Sequence, residues 1–472
     1  MADFSNAVLV TFEWVVLGYF LLVNGIYLVL LVSAAVEMRT HLHLERSERR
    51  WRVLQSDIAP TISVLAPAHN EAATIAASVR AMLGLSYPNL ELVVINDGSG
   101  DETMPILIDT FSLVAVHPAY RRMVETKPVV ALYRSRTHPN LVVIDKENGG
   151  KADALNAGLN VAAGQLVCAV DADTIIEPEA MQRMVRPFLT RDDVVAAGGT
   201  IRIVNGSQVR HGRVTDLRVP RQALAGFQVI EYLRAFLFGR LGWNRLGGNL
   251  IISGAFGLFD RDAAAAAGGY AHDTVGEDME LVVRLRRRSY EAGDPRTISF
   301  IPDPVAWTEA PDTLRVLGRQ RDRWHRGLTD VLRRHRRVFL NRRYGAMGLF
   351  VYPYFVIVEL LAPVVEALGI IGLLVGLALG AVDASFAVLF FLVAYGLGIV
   401  LATFTLLLEE LSFHRYGRLR DRVLLVVWAL FESLGYRQLT VVWRLRGIWK
   451  FLRKRTDWGT MQRRGFATPP SG

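Results

Sequence analysis

An apolar stretch, Val8–Val36, opens the chain and is broken only by Glu13 and Asn24. As a helix rising 1.5 Å per residue it exceeds the roughly 30 Å of a bilayer core. It is too long for a signal-peptide core and no basic segment precedes it, so it reads as an uncleaved anchor. Tyr344–Gly380 and Phe386–Leu411 are also long enough to cross. The chain is 51% hydrophobic with a mean hydropathy of +0.26, and the apolar residues gather at its two ends. A membrane protein with a soluble middle follows. Its expected parts are a transmembrane anchor with a basic flank (1–52), a soluble domain (53–310), an amphipathic interfacial segment (311–343) and a C-terminal membrane region with a basic tail (344–472).

Charge sets the expected orientation. Arg39, Arg46, Arg49, Arg50 and Arg52 follow the anchor, which puts the N-terminus outside and the soluble domain in the cytoplasm. The turn Ala381–Ser385 carries only Asp383, as expected outside, and the basic His414–Arg422 returns inside. Both flanks of Val423–Val442 are basic, which predicts a re-entrant or interfacial pair of helices broken near Gly435. Glu359 and Glu366 lie within a span; such carboxylates face protein or water, either lining a path for a polar product or bonding to neighbouring helices. A net charge of +9 suits nucleic acid, an anionic membrane or an anionic substrate. The arginines adjoin the apolar ends, which favours the membrane surface, and no nucleic-acid module is visible. The single cysteine, Cys168, excludes an intramolecular disulfide and a cysteine metal cluster.

In the middle, short apolar runs alternate with helical patterns. Strands are expected at Thr61–Ala66, Leu90–Ile95, Leu141–Asp145, Gln165–Val170, Val194–Val204 and Leu250–Phe259. Helices are expected at Glu71–Leu83, capped by Asn70, and at Ala152–Ala163, Gln222–Leu241, Met279–Arg288 and Thr313–Arg337. Gln222–Leu241 suits either a membrane interface or an ordinary core. The alternation implies a mostly parallel, Rossmann-like α/β sheet, whose ligands lie at the carboxyl ends of its strands. Carboxylates fall at those ends: Asp97, then Asp171 and Asp173, which would share one side of a continuing strand. Oxygen ligands of this kind suit a hard divalent cation shared with phosphates. Gly149-Gly150-Lys151 opens a helix, where free amides and a point charge suit an anion; it lacks the Walker spacing.

Four features recur in one order: Asp97 after a strand, Asp171-Ala172-Asp173, Gly276-Glu277-Asp278, and Gln320-x-x-Arg323-Trp324. Together they resemble the membrane-embedded processive glycosyltransferases of family 2, over roughly Thr61–Asp330. The Gly-Gly-Lys-Ala-Asp-Ala-Leu-Asn run leans toward the poly-N-acetylglucosamine and chitin synthases. The resemblance implies a GT-A fold between transmembrane helices and inverting transfer from a UDP-sugar, UDP-N-acetylglucosamine foremost, to a glycan acceptor. It implies that Ala68, Glu71 and Asp97 hold the uridine, that Lys151 contacts the diphosphate, and that Asp171 and Asp173 sit at the nucleotide and at Mg²⁺ or Mn²⁺. Asp278 would be the general base, with Glu277 beside it. Gln320, Arg323 and Trp324 would close over the diphosphate and seat the acceptor. Ser253 and Gly254 fall at the acceptor motif but depart from the Phe-Phe-Cys-Gly-Ser of cellulose synthases.

The chemistry agrees independently. A departing diphosphate develops charge that a metal and cations stabilise, and a sugar hydroxyl needs a carboxylate to take its proton. Three functions compete: a plasma-membrane polymer synthase, with accessory export subunits or without; a transferase adding one sugar to a polyprenyl phosphate or lipid, for which the Gln-x-x-Arg-Trp element is superfluous; and a membrane scaffold with an inactive domain, which predicts no UDP release.

Overall fold

The computed structural model describes residues 2–48, 58–171, 174–210 and 212–453. Asp173 and, from the basic flank of the anchor, Arg49, Arg50 and Arg52 lie outside the described residues. In chain order, helix α1 (Ala2–Glu48) is followed by β1 (Ile62–Ala68), α2 (Ile75–Leu83), β2 (Leu90–Asp97), α3 (Thr103–Phe111), β3 (Leu113–Val116) and β4 (Val129–Ser135). Then come β5 (Leu141–Lys146), α4 (Lys151–Val161), β6 (Leu166–Val170), β7 (Ile175–Ile176), α5 (Ala180–Thr190) and β8 (Val194–Ile203). The pair β9 (Gln208–Arg210) and β10 (Arg213–Asp216) precedes α6 (Ala223–Leu233), α7 (Leu241–Arg245), β11 (Phe256–Asp260), α8 (Arg261–Ala266), α9 (Glu277–Glu291) and β12 (Thr297–Thr308). The last helices are α10 (Leu314–Arg334), α11 (Tyr352–Tyr354), α12 (Ala362–Ala378), α13 (Ala384–Phe391), α14 (Leu397–Ser412), α15 (Leu419–Phe431) and α16 (Arg437–Leu452).

The described residues divide into two compact units, one drawn from 2–40, 219–246 and 311–453, the other from 41–48, 58–171, 174–210, 212–218 and 247–310. The second unit is built on a sheet in the order β3-β4-β5-β2-β1-β6-β11-β8-β12-β7. Its centre, β5-β2-β1-β6, is parallel throughout, as crossover helices such as α2 and α4 require. Beyond that core the sheet is mixed. β11 runs antiparallel to both β6 and β8, and β4 pairs antiparallel with β5. The βα alternation read from sequence therefore accounts for the centre but not for the flanks. The parallel strands are buried nearly end to end, as a sheet covered on both faces demands. Leu65, Val93, Ile95, Ile144 and Val167 pack with Leu159 of α4 and Leu281 of α9 in one core. At Gly158 a Cβ would come within 3.1 Å of both Ile95 and Leu65, so α4 lies close on the strands.

Two local expectations fail for physical reasons. Asn70 does not cap a helix beginning at Glu71; the helix starts at Ile75. Asn70 takes a left-handed conformation, φ 56°, and its side chain accepts from the Gly100 amide at 2.9 Å. The strand expected from Leu250 begins only at Phe256, because residues 250–255 lead into the site described below.

The first unit is helical. Val10–Leu44 and Ala384–Ser412 are long and apolar enough to cross a membrane. Met347–Leu360 and Ala362–Ala378, bent by 43°, make a third if taken as one broken span. Pro363 in the first turn of α12 lacks the amide that would continue the preceding helix, which accounts for the bend. The break expected near Gly435 is present: Leu434 and Gly435 have non-helical backbone between α15 and α16. Residues 219–246 cluster with these helices rather than with the sheet. Phe227 meets Trp428 edge to face at 5.5 Å, and Tyr27 meets Phe238 at 5.5 Å. Glu366 pairs with Arg437 at 3.0 Å and Glu359 lies 3.8 Å from Arg444, so both carboxylates bond to neighbouring helices.

Candidate active site

Four segments meet at the carboxyl end of the parallel core. Asp171 directly follows β6, and Lys151 is the first residue of α4. Phe256 pairs with Val170 in the antiparallel β6–β11 register, so the approach to β11 through Ser253-Gly254-Ala255 lies at the same edge. Glu277 and Asp278 form the first turn of α9. Lys151 ties these together. Its Nζ lies 2.5 Å from Asp171 Oδ1 and 4.0 Å from Glu277 Oε1, and it donates to the Gly254 carbonyl at 3.2 Å. Asp278 stands against Gly254, where a Cβ would come 2.8 Å from Asp278 Oδ2. The Asp278 Oδ1 accepts from the Met279 amide at 2.8 Å. Side chains more than 100 residues apart in sequence thus converge on one ammonium and one bare glycine.

Among the described residues, the electrostatics are those of an acidic cluster around one cation, Lys151. Burial pulls the Lys151 ammonium down, but Asp171 and Glu277 outweigh it, so its value rises and it stays charged. The Glu277 carboxyl is raised, first by burial and then by Asp278 and Asp171, against the opposing effect of Lys151. Among the described residues, Asp171, Glu277 and Asp278 against Lys151 leave negative charge that a divalent ion or a protonated partner would offset. Among the described residues no group of three or more metal-ligating side chains is assembled. The donor set is nevertheless all oxygen, and the Asp171 side chain is 25% exposed. That fits a Mg²⁺-type ion held by one or two carboxylates and completed by substrate phosphates.

Asp97 is used differently from the expectation that amides of a Gly-Gly turn face an anion. Its carboxylate takes those amides itself, Gly149 at 3.0 Å and Gly150 at 2.8 Å. It also accepts from Lys146 Nζ at 2.7 Å. Lys146 is fully buried and reaches Asp153 as well, at 2.5 Å. Gly150 has φ 84°, a left-handed backbone that favours glycine, and a Cβ at Gly149 would strike Asp153 at 2.5 Å. Asp97, Lys146 and Asp153 therefore form a buried lattice that fixes the turn delivering Lys151. Asp153 belongs to the Gly-Gly-Lys-Ala-Asp-Ala-Leu-Asn run but received no role of its own, and Lys146, the last residue of β5 after Asp145, falls outside every motif, although a lysine buried at a strand end needs a charged partner.

Ala68 ends β1 and is buried. Glu71 follows in the next turn, where its Oε2 accepts from the Thr74 hydroxyl at 2.7 Å. His69 and Asn148 both contact the Asp97 carbonyl, at 2.9 and 2.8 Å, so the Ala68–Glu71 turn and the Asp97 turn are adjacent. Ser253 bonds locally, its carbonyl accepting from Phe256 at 3.1 Å.

Gln320, Arg323 and Trp324 lie on α10, in the first unit. Gln320 is buried and its side-chain oxygen has no partner among the described residues. Trp324 is 43% exposed. Its ring is held by a residue outside the motif: the Arg321 guanidinium lies 4.4 Å from the ring centroid and pairs with Glu231 at 2.7 Å. Tyr436 donates to the same carboxylate at 2.6 Å.

The family described as Glycosyltransferase like family 2 matches residues 59–327. A probable glycosyltransferase of Bacillus subtilis, YdaM, is 30% identical over 291 residues, which are 61% of this chain and 60% of the relative. The poly-β-1,6-N-acetyl-D-glucosamine synthase of Staphylococcus epidermidis is 29% identical over 273 residues, 58% of this chain and 56% of that protein. The matches thus span less than two thirds of these relatives' own length. Among solved structures, a mannosyltransferase from Pyrobaculum calidifontis in complex with GDP-mannose and Mn²⁺ aligns with 87% of this chain and 99% of its own, at 18% identity and a TM-score of 0.49.

Proposed function

We propose, from the premise that this chain belongs to glycosyltransferase-like family 2, that it is an inverting membrane transferase that moves a sugar from a UDP-sugar to a growing β-linked polysaccharide. One observation carries the reading: Asp171, Glu277 and Asp278 gather around Lys151 and Gly254 at the carboxyl end of the parallel strands. Relatives named poly-β-1,6-N-acetyl-D-glucosamine synthase support UDP-N-acetylglucosamine as the donor.

The nucleotide would lie against Ala68, Glu71 and the turn that Asp97 holds. Asp97 acts as a positioning residue there, since its carboxylate already binds Lys146, Gly149 and Gly150. Asp171 and Asp173 would hold Mg²⁺ or Mn²⁺, which when bound supplies charge neutralisation at the diphosphate. Lys151, kept cationic by its carboxylates, shares that work from the protein side. Asp278 takes the proton of the attacking acceptor hydroxyl as the sugar carbon inverts, and general-base help of this kind is worth ~10²–10⁴-fold. Glu277 sits beside it and steadies Lys151. Gly254 and Ser253 form the wall against which the acceptor end rests. Gln320, Arg323 and Trp324 are assigned to the diphosphate and the acceptor ring, with Arg321 holding Trp324 in place. An aromatic face suits a sugar at low entropic cost.

The catalytic unit faces the cytoplasm, the N-terminus lies outside, and the polymer leaves through the chain's own spans in the plasma membrane, with or without accessory subunits. The test offers purified protein a panel of UDP-sugars with Mg²⁺ or Mn²⁺ and reads released UDP with product length. UDP release with long, β-glycosidase-sensitive product from UDP-N-acetylglucosamine is expected. A singly glycosylated lipid would replace the polymer assignment, and no UDP from any donor would remove the enzymatic one.

A further inference from the structure

A cavity of about 290 Å³ opens within the helical unit, lined by Leu314, Arg315, Gly318, Arg319, Trp443 and Arg446. Half of that lining is arginine and none of it is carboxylate. Arg315, Gly318 and Arg319 recur at the i, i+3, i+4 spacing that shares one helix face, and Trp443 and Arg446 face them from α16. The cavity lies at the first turn of the 21-residue α10, where the helix dipole adds further positive potential. Gly318 shapes the wall: a Cβ there would come 2.7 Å from Trp443 Nε1, so the indole rests directly on the α10 backbone. Arg446 is 3.7 Å from Asp322, a carboxylate that is also taken by Lys450, and its side chain is 59% exposed. Three arginines line the cavity, one of them beside Asp322, and among the described residues the wall itself holds no carboxylate, a lining that suits phosphate.

The surface beside the cavity selects among phosphate carriers. Leu439, Val442, Trp449 and Leu452 of α16 are all exposed. Their spacing of three, seven and three residues puts them on one face with Arg446. Apolar side chains interleaved with Arg446, Lys450 and Arg453 are the pattern of a helix lying in a membrane interface, where anionic headgroups gather basic residues.

We propose that the cavity between α10 and α16 binds the phosphate of an anionic phospholipid, with the acyl chains running along the exposed apolar face of α16. A soluble phosphate shares the headgroup's chemistry but leaves that face uncovered. The site belongs to the helical unit and does not depend on the transferase reading. The test is native mass spectrometry of the full chain released from detergent, titrated with phosphatidylglycerol, with phosphatidylcholine as the zwitterionic control. Wild type should retain phosphatidylglycerol in preference to phosphatidylcholine. Arg315→Gln/Arg446→Gln should need at least about tenfold more lipid for equal occupancy, about 1.4 kcal/mol. Arg336→Gln/Arg420→Gln, which removes the same charge from exposed positions elsewhere, should not. Leu314→Glu, which sets a carboxylate at the mouth, should weaken binding without touching an arginine. Equal retention by wild type and both cavity variants would overturn the site. Displacement of the lipid by inorganic phosphate or glycerophosphoglycerol at matching concentration would overturn the lipid assignment in favour of a soluble phosphate.

Discussion

Lys151 is the residue on which the site's charge balance turns. It faces Asp171 and Glu277 directly and Gly254 through its carbonyl. Lys151→Met would leave those carboxylates facing each other without a cation. We expect a loss of about 1–3 kcal/mol, below the 3–5 kcal/mol of a fully buried broken pair because both side chains keep some exposure. The check is the denaturation midpoint, together with weaker UDP binding. Glu277 gives a pH signature. Its carboxyl is raised by burial and by its acidic neighbours, so its stabilising contribution is complete below the ordinary glutamate range and is lost as pH rises through the folded value. The melting temperature of Glu277→Gln should therefore gain on that of wild type as pH climbs from about 4.5. A difference that stays flat across that range would show that Glu277 is not perturbed.

At the scale of elements, α10 carries a second titration. His325 is buried there and held near pKa 3 by burial and by Arg444. Arg444 Nε donates to His325 Nδ1 at 3.3 Å, and His325 Nε2 faces the Leu360 carbonyl at 3.3 Å. A second proton would cost the arginine bond, so the folded state keeps the ring neutral while the unfolded chain takes up a proton below about 6.5. Stability tied to His325 is present above that value and falls with acidification, by roughly 2 kcal/mol between pH 6.5 and 5 at most. His325→Asn should flatten the acid side of the melting profile; an unchanged slope would remove this assignment.

How much of this was legible follows from the same elements. β1 and β2 appear within two residues of their apolar runs, since strands buried on both faces leave a continuous hydrophobic trace. The break at Gly435 was legible because basic residues on both flanks forbid a clean crossing. β11 was misplaced because apolar Leu250–Ile252 continues the pattern while Gly254 serves the site rather than the sheet. A strand-end carboxylate such as Asp97 looks alike whether it meets a ligand or its own scaffold. The register that sets it beside Lys146 adds a contact within the scaffold that sequence spacing does not encode. Arg321 lies inside the Gln320–Trp324 run but carries no role in a spacing argument, because its value lies in contacts with Trp324 and Glu231.

For the whole molecule, the proposed orientation places the turn before α13 outside the cell. Ser385, next to that turn at the start of α13, is exposed, and the single cysteine of the sequence, Cys168, is buried. Ser385→Cys should react with a membrane-impermeant maleimide on intact cells; labelling only after permeabilisation would invert the topology. The central claim concerns chemistry, and the measurement that tests it most directly is UDP release from UDP-N-acetylglucosamine by wild type and Asp278→Asn, with UDP affinity measured on both. Removing a base that acts only in the transition state should cut turnover by ~10²–10⁴-fold while UDP affinity stays within about twofold. Turnover by Asp278→Asn at the wild-type rate would contradict the account.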